Sequence, residues 1–218
     1  MASPLPQAIY PIVDAAFWVD RLGQVGARFI QLRLKEKSMP ILLSEIRQAC
    51  RFAQQWGVCL VLNDYWQIAL DEGICHVHLG QEDLDTADLT ALHAHKIQLG
   101  VSTHSHEELD RALACRPYYV ALGPIWETRL KKMAFGPQGT ERLTEWKKRI
   151  DKLPLVAIGG ITLERVIPCL DAGADCVSAV SDFILHPDQY IGDLKKFAGI
   201  ISVDASLYVD MPLCLQIA

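Results

Sequence analysis

The sequence predicts a single-domain (β/α)8 barrel, and three observations carry that expectation. Eight short apolar runs alternate with eight longer segments of helical spacing over residues 1–200. The runs are often β-branched and lack a clean apolar–polar alternation, as parallel strands buried on both faces do. No GxGxxG loop is present. That loop would favour the runner-up, an open doubly wound sheet.

The first run is 8–13 (AIYPIV), and a periodic segment follows it to Gly26. The second is 28–33 (RFIQLR), followed by a long helix over 38–56 with Ser38 or Pro40 near its start. The third run is 58–62 with a short helix over 65–72, and the fourth is 74–79 with a helical segment near 87–95. Run 96–101 (KIQLGV) precedes a capping box, Ser105 to Glu108, that starts a helix reaching Cys115. Run 117–122 leads into a polar loop, 123–139, and a helix near 140–150. Run 154–158 (PLVAI) ends on Gly159-Gly160, with Thr162 as the expected N-cap of the next helix. Run 175–180 is the eighth, and a last helix is expected near 188–200. Residues 201–218 form a tail of no assigned role.

Composition narrows the function classes. Half the residues are hydrophobic and 22% are charged, a globular composition. The net charge of −5 and the lack of a dense Lys/Arg stripe argue against a nucleic-acid partner. No run reaches the length of a membrane span, and the first residues lack the pattern of a signal peptide. Seven cysteines without a CxxC pair fit reduced thiols in a cytoplasmic protein. A homodimer is compatible with the sequence.

In a barrel of this kind the chemistry sits at the carboxyl ends of the strands. Those ends carry Gln31, Arg33 and Lys35; Asn63 and Asp64; His78, Gly80 and Gln81; Ser102 and Thr103; Gly123; Gly159 and Gly160; and Ser181. Asp64 and Asp83 each follow a strand and are placed to hold one divalent cation. Hard oxygen ligands beside phosphate suit magnesium. Arg33, Lys35 and Lys131 add positive charge on the same face, enough with that cation to neutralise a pyrophosphate. Lys35 alone reads equally well as a solvated side chain. Gly159-Gly160 before a helix, matched by Ser181 after strand eight, forms the phosphate site usual for this fold. Three HxH pairs (His76/His78, His93/His95, His104/His106) raise the idea of zinc, but no cysteine or carboxylate stands at finger spacing beside them. Asp71, Glu72 and Glu82 read as bystanders.

The segments QLRLK (31–35), LNDYWQIAL (62–70), VHLGQEDL (77–84), LGVSTH (99–104), ALGPIWET (121–128), VAIGGIT (156–162) and AVS (179–181) closely resemble the thiamine phosphate synthase family, in family order and spacing. The resemblance implies a Mg2+-dependent transferase on a (β/α)8 barrel. Such an enzyme joins 4-amino-2-methyl-5-hydroxymethylpyrimidine diphosphate to a thiazole phosphate or its carboxylate, with release of pyrophosphate. The implied mechanism is dissociative, with pyrophosphate leaving before the thiazole nitrogen attacks. By resemblance, Gln31, Asn63 and Ser102 hold the aminopyrimidine or its diphosphate, and Arg33, Lys35, Lys131 and Ser102 serve catalysis. Thr128, Gly160, Val180 and Ser181 take the thiazole phosphate, and Asp64 and Asp83 take the metal.

Two positions depart from the family pattern. Tyr65 stands where many members carry Arg, and Leu130 replaces a hydroxyl residue in the loop that carries Thr128 and Lys131. Two other readings compete: a thiazole tautomerase-like isomerase, and a non-catalytic barrel that binds a phosphorylated ligand. The tautomerase relies on a histidine where this chain has Pro124, and it lacks the Gln81–Asp83 motif.

Overall fold

A computed structural model of the chain describes residues 5–127 and 136–179. Its strands are β1 (Ile9–Val13), β2 (Phe29–Leu32), β3 (Cys59–Asn63), β4 (His76–Leu79), β5 (Gln98–Thr103), β6 (Tyr119–Leu122), β7 (Leu155–Ile158) and β8 (Cys176–Ala179). They form one closed parallel barrel in sequence order, with β8 returning to pair with β1. The expected fold class is therefore observed. Among the described residues seven helices connect the strands: α1 (Ala16–Gln24), α2 (Met39–Trp56), α3 (Trp66–Asp71), α4 (Leu89–Ala94), α5 (His106–Ala114), α6 (Gly139–Ile150) and α7 (Leu163–Asp171). The helix expected near 188–200 and the tail 201–218 lie outside the described residues.

Strand parity divides the core in two. Ile30, Leu32, Leu60, Leu62, Val77, Leu79, Leu99, Val101, Val120, Leu122 and Leu155 point outward into a shell shared with the helices. Alternate residues point inward, where Leu5, Tyr10, Phe29, Val61, Tyr119, Ala121, Val156 and Cys176 pack together. Both faces of each strand are thus covered, which explains the unbroken apolar runs. Tyr10 stacks on Phe29 with ring centroids 4.1 Å apart, and Tyr119 meets both edge-on. Gly100 makes room for this cluster. A Cβ there would sit 2.2 Å from Cζ of Tyr119, which is opposite it in register.

Local signals mostly act as the sequence predicts. The amide of Glu108 donates to the Ser105 hydroxyl at 3.3 Å. The Glu108 carboxylate reaches past the N-cap to the amide of His104, at 2.7 Å, so the box closes one residue early. Thr162 has the extended backbone of an N-cap but makes no side-chain capping bond, a correction to the expectation. Glu72, read as a bystander, has a structural partner: Arg47 holds it in a forked pair, with its closest contact at 2.7 Å.

Candidate active site

The ends of β2, β3, β4 and β5 bring most of the expected residues together. The order of pairing, β2–β3–β4–β5, makes these four ends neighbours. Arg33 and Lys35 are exposed just beyond β2, on either side of the buried Leu34. Asn63 closes β3 and is buried. Asp64 follows it with φ 67°, a left-handed conformation that aspartate tolerates better than most residues. Its amide donates to the carbonyl of His78 at 3.0 Å, stitching the end of β3 to β4.

The carboxylate of Asp64 forms an ion pair with the ammonium of Lys35. Asp83 enters from the β4 side in a short 3-10 turn (Asp83–Asp85) that the amide of Gly80 anchors, donating to Oδ2 at 2.9 Å. Burial pushes the Asp83 carboxyl above the usual aspartate range, and the charge of Asp64 and a hydrogen bond with it push the same way. The Gly80 amide and Lys35 partly oppose that shift. A carboxyl whose proton affinity is raised by burial and by a neighbouring carboxylate marks a site that gains from a cation. Among the described residues no third His, Cys, Asp or Glu joins them in a cage. Two partly exposed carboxylates offer the hard oxygen ligands that magnesium favours.

Ser102 is held from two sides. Its carbonyl accepts from Nε2 of Gln81 at 2.7 Å, and its hydroxyl lies 2.8 Å from Nε2 of His78. Gln31 is buried below Arg33 and donates to the Tyr10 hydroxyl at 2.9 Å. His78 lies within electrostatic reach of Asp64 and Arg33, which ties the interior of the barrel to the charged rim.

Tyr65, which stands where many family members carry Arg, has a partner within the chain. Its hydroxyl donates to the carbonyl of Leu34 at 3.1 Å, so it braces the segment that carries Arg33 and Lys35. The bystander reading suits Asp71, an exposed residue at the end of α3.

On the other side of the mouth, Gly159 and Gly160 adopt φ 91° and 66°. A Cβ on Gly159 would meet Pro124, and one on Gly160 would lie 2.6 Å from the carbonyl of Glu127. Glycine is required there both by conformation and by the close approach of segment 123–127. That segment is fixed over β7 by Ile125 and Trp126 amides donating to Ile158 and Gly159 carbonyls at 2.9 and 3.1 Å. Thr128, Lys131, Val180 and Ser181 lie outside the described residues. The HxH pairs do not act as pairs. His93 and His95 contact the carbonyls of Cys115 and Ala91, and His104 pairs with Glu108.

Sequence reasoning missed Tyr10 and Tyr119. Both sit in runs that read as plain apolar strands, and their inward parity was the available signal. The glycine opposite Tyr119 was a second one.

Fold and site together define a class: a (β/α)8 barrel whose mouth carries a carboxylate pair, two cations beside it and a glycine turn across from it. The family model described as thiamine monophosphate synthase matches residues 9–183, and the chain belongs to that family. It is 50% identical over 179 residues to the thiamine-phosphate synthase of Rhizobium etli, covering 82% of this chain and 88% of that protein. It is 44% identical over 198 residues to the thiamine-phosphate synthase of an Enterobacter species, covering 90% and 94%. Among solved structures, thiamine phosphate pyrophosphorylase from Pyrococcus furiosus superposes with a TM-score of 0.76 at 23% identity, covering 88% of this chain and 95% of that one. That last likeness speaks for the fold.

Proposed function

We propose that the chain is a thiamine-phosphate synthase. It joins 4-amino-2-methyl-5-hydroxymethylpyrimidine diphosphate to the thiazole phosphate, or its carboxylate, and releases thiamine phosphate and pyrophosphate. The observation that carries this reading is the convergence of Asp64, Asp83 and Lys35 at one strand-end cluster. Asp64 and Asp83 would hold Mg2+, which when bound supplies positive charge to the diphosphate oxygens.

The chain's own groups supply the rest. A leaving diphosphate gathers negative charge as its C–O bond breaks, so cations fixed at that end favour the transition state over the ground state. Arg33 and Lys35 are such cations, with Tyr65 bracing their backbone. Lys131 is assigned the same task from sequence. Ser102 and Gln31 orient the pyrimidine side, and Asn63 lines it between them. Gly160, with Thr128, Val180 and Ser181, receives the thiazole phosphate across the mouth. Small phosphorylated substrates, a cytoplasmic setting and the absence of nucleic-acid or membrane partners belong to the same reading. Among the described residues no helix is long and apolar enough to cross a membrane. We assign residues 1–200 to the catalytic barrel and leave 201–218 as a tail outside it.

The test is direct. Purified protein is given both phosphorylated substrates and Mg2+, and pyrophosphate and thiamine phosphate are measured together. Equal accumulation of the two products is expected. No turnover at saturating substrate would sink the assignment.

A further inference from the structure

Five side chains in the barrel interior form an unbroken hydrogen-bonded line. Gln31 Nε2 is 2.9 Å from the Tyr10 hydroxyl, which is 2.8 Å from the Tyr119 hydroxyl. Tyr119 is 2.8 Å from Nδ1 of His78, and Nε2 of His78 is 2.8 Å from the Ser102 hydroxyl. The first four members are almost fully buried, and Ser102 is the half-buried end at the mouth. Barrel interiors are ordinarily filled by branched apolar residues. A polar line that ends on a site residue calls for a reason.

We propose that this line is a one-way orienting device that fixes the Ser102 hydroxyl as a hydrogen-bond donor to the bound diphosphate substrate, with Tyr10, Tyr119 and His78 as positioning residues. The inference rests on the function proposed above. Direction follows from the end group. The Gln31 amide nitrogen can only donate, so the Tyr10 oxygen accepts and its single proton goes to Tyr119. Tyr119 in turn gives its proton to Nδ1 of His78. A neutral imidazole that accepts at Nδ1 carries its proton on Nε2. That proton meets Ser102, whose oxygen accepts and whose own proton is left for the ligand.

Burial supports the neutrality this requires: Tyr10, Tyr119 and His78 are almost wholly removed from water, which disfavours their charged forms. Each member then has one proton to pass in one direction. Gly100 leaves the space in which the Tyr119 ring lies, and Gln81 pins the Ser102 backbone.

The direction also decides what the His78–Ser102 pair can do. With its proton on Nε2, His78 cannot take the Ser102 proton, so the pair does not generate a nucleophile. The third member is a phenol where a triad would have a carboxylate. The reversed line, with Nδ1–H, would make His78 a base toward Ser102. The two directions are therefore chemically distinct and separately observable.

The experiment is long-range 1H–15N NMR of 15N-histidine-labelled protein near pH 7.5, paired with steady-state kinetics. A single Nε2–H tautomer is expected for His78. Tyr119→Phe and Tyr10→Phe each break the line upstream, so a mixture of tautomers is expected in both. For both, kcat should fall about tenfold while KM for the pyrimidine diphosphate stays within about threefold, since an oriented donor matters most as charge develops. His78→Gln keeps a donor near the Nε2 position and should recover most of the rate that His78→Asn loses. An Nδ1–H tautomer in the unaltered protein overturns the proposal without any variant. So does unchanged kcat in both tyrosine variants. If the protein makes no thiamine phosphate, the functional reading fails, while the tautomer still decides the direction of the line.

Discussion

The hydroxyl of Tyr65, after β3, donates to the carbonyl of Leu34, after β2, so one strand end supports the cationic segment of its neighbour. Leu34 is fully buried between Arg33 and Lys35, and fixing its backbone fixes the points from which both cations project. A net hydrogen bond of this kind is worth about 1 kcal/mol. Tyr65→Phe should therefore lower kcat several-fold, with KM for the pyrimidine diphosphate within about twofold and the melting temperature lower by about 2–4 °C. Steady-state kinetics with thermal melts check this. An unaltered kcat would contradict the bracing role of Tyr65.

Two inward-facing histidines make the fold sensitive to acid. Burial lowers the pKa of His76 and of His78 to about 4. In the unfolded chain each titrates near its ordinary value of about 6.5. Between those values the unfolded state binds the extra protons, so stability is full above about pH 6.5 and is lost as pH falls towards 4. Neither ring nitrogen of His76 has a hydrogen-bond partner among the described residues. His76→Leu should keep its stability at neutral pH and show a shallower loss in acid. Urea melts from pH 7.5 to 4.5 read the two slopes, and identical slopes would contradict the assignment.

Gly100 and Tyr119 share one volume. With 2.2 Å between a built Cβ and Tyr119 Cζ, Gly100→Ala forces the ring to move. Overpacking of this kind costs about 1–3 kcal/mol. The tyrosine carries a hydrogen bond to His78, so the same change should lower kcat as well as the melting temperature. A variant with full stability and full rate would show that the ring has slack.

Much of the barrel was legible because parallel strands covered on both faces leave short apolar runs, and runs such as VCLVL and PLVAI survive as β3 and β7. The acid pair was legible because Asp64 and Asp83 each stand just beyond a strand. What could not be read was the interior line. Tyr10 and Tyr119 lie 109 positions apart, and they meet only because β1 and β6 contribute inward residues to one closed barrel. Nor does a linear sequence tell that Tyr65 reaches Leu34, a contact made across the β2–β3 pairing. The glycine turn after β7 was expected from phosphate binding alone. Its geometry adds a second requirement, the packing of Pro124 and Glu127 against it.

We propose that Asp64 and Asp83 act together as the metal pair of a diphosphate-releasing transferase. The most direct measurement is the Mg2+ dependence of thiamine phosphate formation by the unaltered protein, Asp64→Ala and Asp83→Ala, each shown to be folded by its thermal melt. Saturable Mg2+-dependent turnover is expected in the first, and a loss of at least about a hundredfold in each variant at any Mg2+ concentration. Near-normal turnover in either variant would contradict it.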